Sequence, residues 1–108
     1  RKRDPPVESV ETSHEVRVGD ARDLSVGSVD LVVTSPPYPM VEMWDASFTA
    51  QDPTIGAALD DGEGDRAFRL MHDVLDGVWA RLADVVREGG IVAVNVGDAT
   101  RSMGEFQQ

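Results

Sequence analysis

The run Val29-Asp30-Leu31-Val32-Val33-Thr34, closed by Ser35-Pro36-Pro37, constrains the fold more than any other stretch. Its β-branched residues favour a pleated strand, and a run apolar at both odd and even positions reads as a strand buried on both faces. Prolines cannot donate to a strand ladder, so the strand ends there and opens into a stiff loop. Ile91-Val92-Ala93-Val94-Asn95-Val96 is a second such run, ending at Gly97-Asp98. Between the two, Phe68, Met71, Leu75, Val78, Leu82 and Val85 recur at intervals of three and four, which predicts one helix over Arg66–Arg87. Asp65 is its expected N-cap and Gly89-Gly90 its expected stop. Upstream, Glu15-Val16-Arg17-Val18 alternates polar and apolar and predicts a short strand ended by Gly19-Asp20, and Ala21–Gly27 has room for one helical turn.

Strand, turn, strand, long loop, helix, strand is the order of an open α/β sheet, mostly parallel, with flanking helices. Ligands of such sheets sit beyond the carboxyl ends of the strands. Asp20, Ser35 and Asp98 all fall at expected carboxyl ends. Residues 1–14 are charged and proline-containing and read as a loose lead-in, so the domain is expected over residues 15–108. Pro39 to Asp65 shows no clean periodicity and reads as a long loop, functional or disordered, with Met43 and Trp44 in it and a solvated acidic glycine patch at Asp60–Asp65. His14 and His72 lack partners at metal-ligand spacing and read as solvated or helix-face residues.

Charge sets a second constraint. Twenty acidic residues face ten basic ones, thirteen are Asp, and Lys2 is the single lysine. An ordinary acidic protein is the alternative; the Asp-rich, Lys-poor composition points rather to a salt-adapted, halophilic protein, since such surfaces suit a host with concentrated internal salt. In molar salt the Debye length is about 3 Å, which screens the self-repulsion and weakens the objection that an acidic chain cannot approach DNA. The arginines form no obvious stripe, and Arg1-Lys2-Arg3 is a basic cluster expected to be solvated. Cysteine is absent, which removes disulfides and thiolate metal sites and fits a reducing, cytoplasmic setting. No apolar run reaches the roughly 18 residues of a membrane span, and no basic-then-apolar leader is visible.

Three stretches carry a resemblance. Gly19-Asp20-Ala21, the run from Val29 through Ser35-Pro36-Pro37-Tyr38, and Gly89-Gly90-Ile91-Val92-Ala93-Val94-Asn95-Val96-Gly97-Asp98 together resemble the DNA N4-cytosine/N6-adenine methyltransferase family over roughly residues 15–100. The resemblance implies a partial Rossmann-like fold, S-adenosyl-L-methionine as cofactor, DNA as partner, and methyl transfer to the exocyclic amino group of a flipped base. Serine at the head of the motif leans toward cytosine N4; Asp or Asn is commoner there in N6-adenine enzymes. Adenine N6 transfer, or an inactive or non-enzymatic fragment of such a protein, are the alternatives. Enzymes of this kind that act on RNA or protein glutamine mostly show Asn-Pro-Pro-Tyr or Asp-Pro-Pro-Tyr with a glycine motif ahead of it. Only 34 residues precede Ser35, and none form that motif.

The chemistry accounts for the residue types. An exocyclic amino group is a poor nucleophile because its lone pair is delocalised into the ring. Acceptors on its two N–H bonds draw the nitrogen toward a tetrahedral shape and localise that pair. Ser35 Oγ is one acceptor, and the resemblance makes the Pro36 carbonyl the second. Pro36 and Pro37 stiffen the loop. Tyr38 offers a stacking face to an extruded base, worth about 1–3 kcal/mol; Met43 and Trp44 are candidates to close over it, with a surface or core role equally open. By resemblance, Asp20 contacts the adenine amino group of the cofactor; as a plain Gly-Asp pair it would simply form a turn. Asn95 and Asp98 are weaker rim candidates. The glycine-rich turn that holds the methionine part of the cofactor is not found: Asp61-Gly62-Glu63-Gly64-Asp65 has the spacing without a preceding strand. In the permuted order of some family members that turn would follow Gln108. The chain alone is then expected to be catalytically weak or dead, with a complementing chain or a cognate restriction endonuclease as further partners.

Overall fold

The computed structural model describes residues 9–97, 101–104 and 106–107. Asp98 and the Arg1-Lys2-Arg3 cluster lie outside the described residues. Residues 9–18 carry no regular secondary structure and are exposed. Strand β1 (Val29–Thr34) forms where its apolar run demands it. A 3-10 turn (Glu42–Trp44) leads into helices α1 (Asp45–Gln51), α2 (Pro53–Asp60) and the long α3 (Gly64–Val85), and the chain then passes directly into β2 (Val86–Val94). β1 and β2 pair in parallel, and β3 (Ser102–Met103) pairs antiparallel with β4 (Phe106–Gln107). The architecture is α/β, as expected: a short parallel sheet with flanking helices.

The expected loop from Pro39 to Asp65 is in fact mostly helical. Asp52 accepts a bond from Thr54 N at 3.0 Å, and Pro53 occupies the first turn of α2. An Asp cap followed by proline is a helix-start signal, but helices of seven and eight residues are too short for a 3.6-residue period to stand out. Gly62, at φ 71°, turns the chain out of α2 toward α3.

Helix α3 begins and ends two residues earlier than expected. Glu63, not Asp65, takes the N-cap position, with no side-chain bond. Gly89-Gly90 does not stop the helix; β-branched Val85 and Val86 mark the change to strand. The two glycines lie inside β2, where Val29 pairs with Val86 but Leu31 pairs with Ile91, so five residues of β2 advance against two of β1. Gly89, at φ 78°, makes that bulge possible, and Arg87 spans it through an ion pair to Asp30. Asn95 N donates to Thr34 O at 2.9 Å and carries the pairing just past β2.

The expected strand at Glu15–Val18 has no partner among the described residues. Val16 and Val18 are wholly exposed. Alternation specifies which residues share a face, but a strand also needs an edge to pair with. The 3-10 turn at Ala21–Asp23 agrees with the expected single helical turn.

The core lies among the helices. Met40, Phe48, Ile55, Ala58, Ala67, Met71, Val74 and Leu75 form one buried cluster, with Trp44, Phe68 and Trp79 packed against it. The sheet contributes little. Val32 and Thr34 are half-buried, whereas Leu31 (57 % exposed), Val33 (74 %) and Ile91 (62 %) leave an apolar face in solvent.

Candidate functional site

β1 delivers the Ser-Pro-Pro-Tyr loop at its carboxyl end. Ser35 is exposed, Pro36 is buried, and Pro37 and Tyr38 are half-buried. Ser35 Oγ and Tyr38 Oη are 3.2 Å apart, so one hydroxyl donates to the other across the turn. Tyr38 O accepts from Val41 N at 3.2 Å, which closes the next turn.

The far end of this loop is held against its own preference. Met40 is left-handed at φ 65°, a region that costs an ordinary residue roughly 1–2 kcal/mol. Burial of its side chain compensates, and Met40 N donates to Met71 Sδ at 3.3 Å. Arg101 Nη1 donates to Met40 O at 3.2 Å and to Asp45 Oδ1 at 3.0 Å, while Nη2 reaches Asp45 Oδ2 at 3.1 Å. The hydrogen bonds to Asp45 hold Arg101 more firmly protonated than a free arginine. One guanidinium therefore pins the loop to the start of α1.

Two cavities flank the motif, and both are lined by Pro36, Pro37 and Leu75. The first, about 290 Å³, brings Asp20 together with Ser35, Pro36 and Pro37, with Phe48, Gln51 and Val78 as further walls. The second, about 400 Å³, is aromatic: Tyr38, Phe68, His72 and Trp79 line it together with Val96 and Gly97. His72, expected to be solvated or on a helix face, is exposed on α3 and lies edge-on to Phe68 with ring centroids 4.4 Å apart. Trp44 lines neither cavity. It sits at the margin of the core, edge-on to Tyr38 at 6.3 Å, with its indole N–H buried and unpartnered. Met43 is exposed, and Asn95 joins the ladder through its backbone. Among the described residues no cluster of His, Asp or Glu is arranged to hold a metal.

Asp20 starts the 3-10 turn and is engaged by Arg22. Oδ1 accepts from Arg22 N at 2.9 Å and Nε at 3.1 Å; Oδ2 accepts from Nε at 3.1 Å and Nη2 at 2.7 Å. The side-chain bonds from Arg22, then the backbone bond, hold the Asp20 carboxyl below the usual carboxylate range. Arg22 Nη2 also donates to Gln51 Oε1 at 2.9 Å.

Three residues here escaped the sequence reading. Arg22 stands two positions beyond Asp20, a spacing that suits an aspartate-capped turn. Gly97 enters the sequence reading only as the end of an apolar run, yet a Cβ there would lie 2.6 Å from Tyr38 Cε2. Arg101 is far from the motif in sequence, and only the fold brings it to Met40.

No family model and no solved structure matches the chain. Curated type II methyltransferases do. M.MthZI of Methanothermobacter thermautotrophicus is 43 % identical over 100 residues, covering 89 % of this chain and 28 % of the relative. M.MjaI of Methanocaldococcus jannaschii is 38 % identical over 108 residues, covering 87 % of this chain and 36 % of the relative. The chain thus spans about a third or less of the length of these relatives. No described helix is long and apolar enough to cross a membrane.

Proposed function

We propose that this chain forms the acceptor-side part of a site-specific DNA methyltransferase that uses S-adenosyl-L-methionine and methylates an exocyclic amino group, cytosine N4 by preference. The observation that carries the reading is the meeting of Asp20 with Ser35, Pro36 and Pro37 around one cavity, with an aromatic cavity on the other side of the same two prolines. Similarity to two type II methyltransferases supports it.

The first cavity fits part of the cofactor. Its volume lies at the small end of the roughly 300–1,000 Å³ of small-molecule sites. A carboxylate at one end and apolar walls suit an adenine ring with its amino group on Asp20; the described residues offer no glycine-rich turn for the methionine part. When bound, S-adenosyl-L-methionine would supply an electrophilic methyl group.

The chain's own residues would prepare the nucleophile. If Ser35 donates its hydroxyl hydrogen to Tyr38 Oη, both Ser35 lone pairs remain free to accept from an amino N–H. The Pro36 carbonyl would take the second N–H. Drawing both N–H hydrogens toward these acceptors favours a tetrahedral nitrogen and localises its lone pair toward the methyl donor. Tyr38 and the aromatic cavity offer apolar walls for a base extruded from the duplex.

Ser35→Ala removes an acceptor without adding bulk. In an enzyme that carries this segment, methylation of DNA should fall at least tenfold while cofactor binding persists. A near-normal rate would remove Ser35 from the chemistry.

A further inference from the structure

The Asp20 carboxylate faces a ligand-sized cavity, yet Arg22 takes up most of its acceptor capacity. An ionised carboxylate offers about four lone-pair sites. Arg22 makes four contacts to the two oxygens, between 2.7 and 3.1 Å, from its backbone N–H, Nε–H and Nη2–H. The four contacts use three hydrogens, with Nε–H shared between the oxygens, so an amino group entering the cavity competes with Arg22 for a carboxylate whose acceptor capacity is largely taken.

The surroundings favour this arrangement without locking it. The Arg22 stem runs along α3 at Gly77, where a Cβ would lie 3.0 Å from Arg22 Cδ and 3.2 Å from Cγ. A glycine inside a helix costs about 1 kcal/mol relative to alanine, and here its missing side chain is the notch in which Arg22 lies. The guanidinium also has alternative partners. Gln51, a wall of the cavity, already accepts from Nη2, and Asp23 and Asp52 attract the same charge. Arg22 itself does not line the cavity.

We propose that Arg22 determines the affinity of the first cavity: its guanidinium holds the Asp20 carboxylate in place of a ligand's amino group, and a ligand that donates an amino group to Asp20 binds by displacing it. The inference rests on the reading of this cavity as the adenine side of a cofactor site. It makes Arg22 a positioning residue whose hold on Asp20 opposes binding.

Two neutral nucleosides test it on this chain. Adenosine carries the exocyclic amino group; purine riboside has the same ring and sugar without it. Their dissociation constants would be measured by NMR titration of the wild type, Arg22→Ala and Arg22→Lys, with thermal melts to verify folding. Loss of a partly exposed ion pair should tighten adenosine about two- to fivefold in Arg22→Ala and leave purine riboside unchanged. Arg22→Lys, a point charge without the planar fork, should fall between and serves alone if the alanine variant does not fold. Adenosine bound equally well by all three proteins, or more weakly by Arg22→Ala, overturns the role of Arg22 and leaves the cofactor reading standing. Adenosine bound by none of them overturns both.

Discussion

Gly97→Ala isolates the contact between the segment after β2 and the motif loop. The added Cβ would lie 2.6 Å from Tyr38 Cε2, 3.0 Å from Cδ2 and 3.3 Å from Cζ. Carbon atoms rest near 3.5–4.0 Å, so the ring has to retreat by about 1 Å. If the ring were locked, overpacking would cost about 1–3 kcal/mol. Tyr38 is only half-buried, so it can swing outward; it then gives up its 3.2 Å bond with Ser35, worth about 0.5–1.5 kcal/mol, and its edge contact with Trp44. The easier route sets the result, so the expected loss is about 1 kcal/mol, or about 4–8 °C in Tm for a chain of this size. Gly97 is not among the positive-φ residues, so its backbone accepts alanine and the effect belongs to the ring contact. Tyr38 is the chain's single tyrosine, and its ring proton resonances can be read without assignment ambiguity. Unshifted Tyr38 resonances together with an unchanged Tm would refute the contact.

Other consequences follow from the core, the carboxylates and the charge. Ile55→Ala empties a fully buried site, which costs about 2–5 kcal/mol and should lower Tm by about 8 °C or more; a drop of only a degree or two would mean the helical core is not packed as described. Asp20 and Asp52 both titrate below the ordinary carboxylate value, through hydrogen bonds from Arg22 and from Thr54. A depressed folded value gives stability that is fully present above the unfolded value of about 4 and is lost as pH falls through the folded one. Tm should therefore decline below about pH 4, and less steeply in Asp20→Asn; identical acid profiles for the two proteins would show that Arg22 does not stabilise the carboxylate. With a formal charge of −10, Tm should rise with KCl toward molar concentration, and a steady fall would count against salt adaptation.

The parts that residue pattern made legible are those in which local chemistry and tertiary packing agree. β1 and α3 carry strong apolar patterns and lie within a few residues of their expected positions. β1 is not buried on both faces as expected, however: Leu31 and Val33 stand in solvent because no further element covers that side among the described residues. The meeting of Asp20 with Ser35 at one rim followed from both closing strand-like runs, although the first of those runs forms no strand. The region after Pro39 was misread because α1 and α2 get their order from burying Phe48, Ile55 and Ala58 against α3, which a seven-residue window does not display. Gly89-Gly90 was misread because glycine serves a helix end and a strand bulge equally well. For Trp44 the motif's proximity leaves a place over the base and a surface or core place equally open, and its bulk is drawn to the core margin. Arg22, Gly97 and Arg101 act through contacts across space, and each looks ordinary in its own stretch of chain.

The Ser35–Tyr38 loop is proposed to present a DNA amino group for methylation. The most direct measurement replaces the matching segment of M.MthZI with residues 15–97 of this chain, supplies labelled S-adenosyl-L-methionine and DNA, and identifies the labelled nucleoside. The account predicts label in N4-methylcytosine, and its loss in the Ser35→Ala version. Label in N6-methyladenine alone would contradict the choice of base, and equal label with and without Ser35 would contradict the site itself.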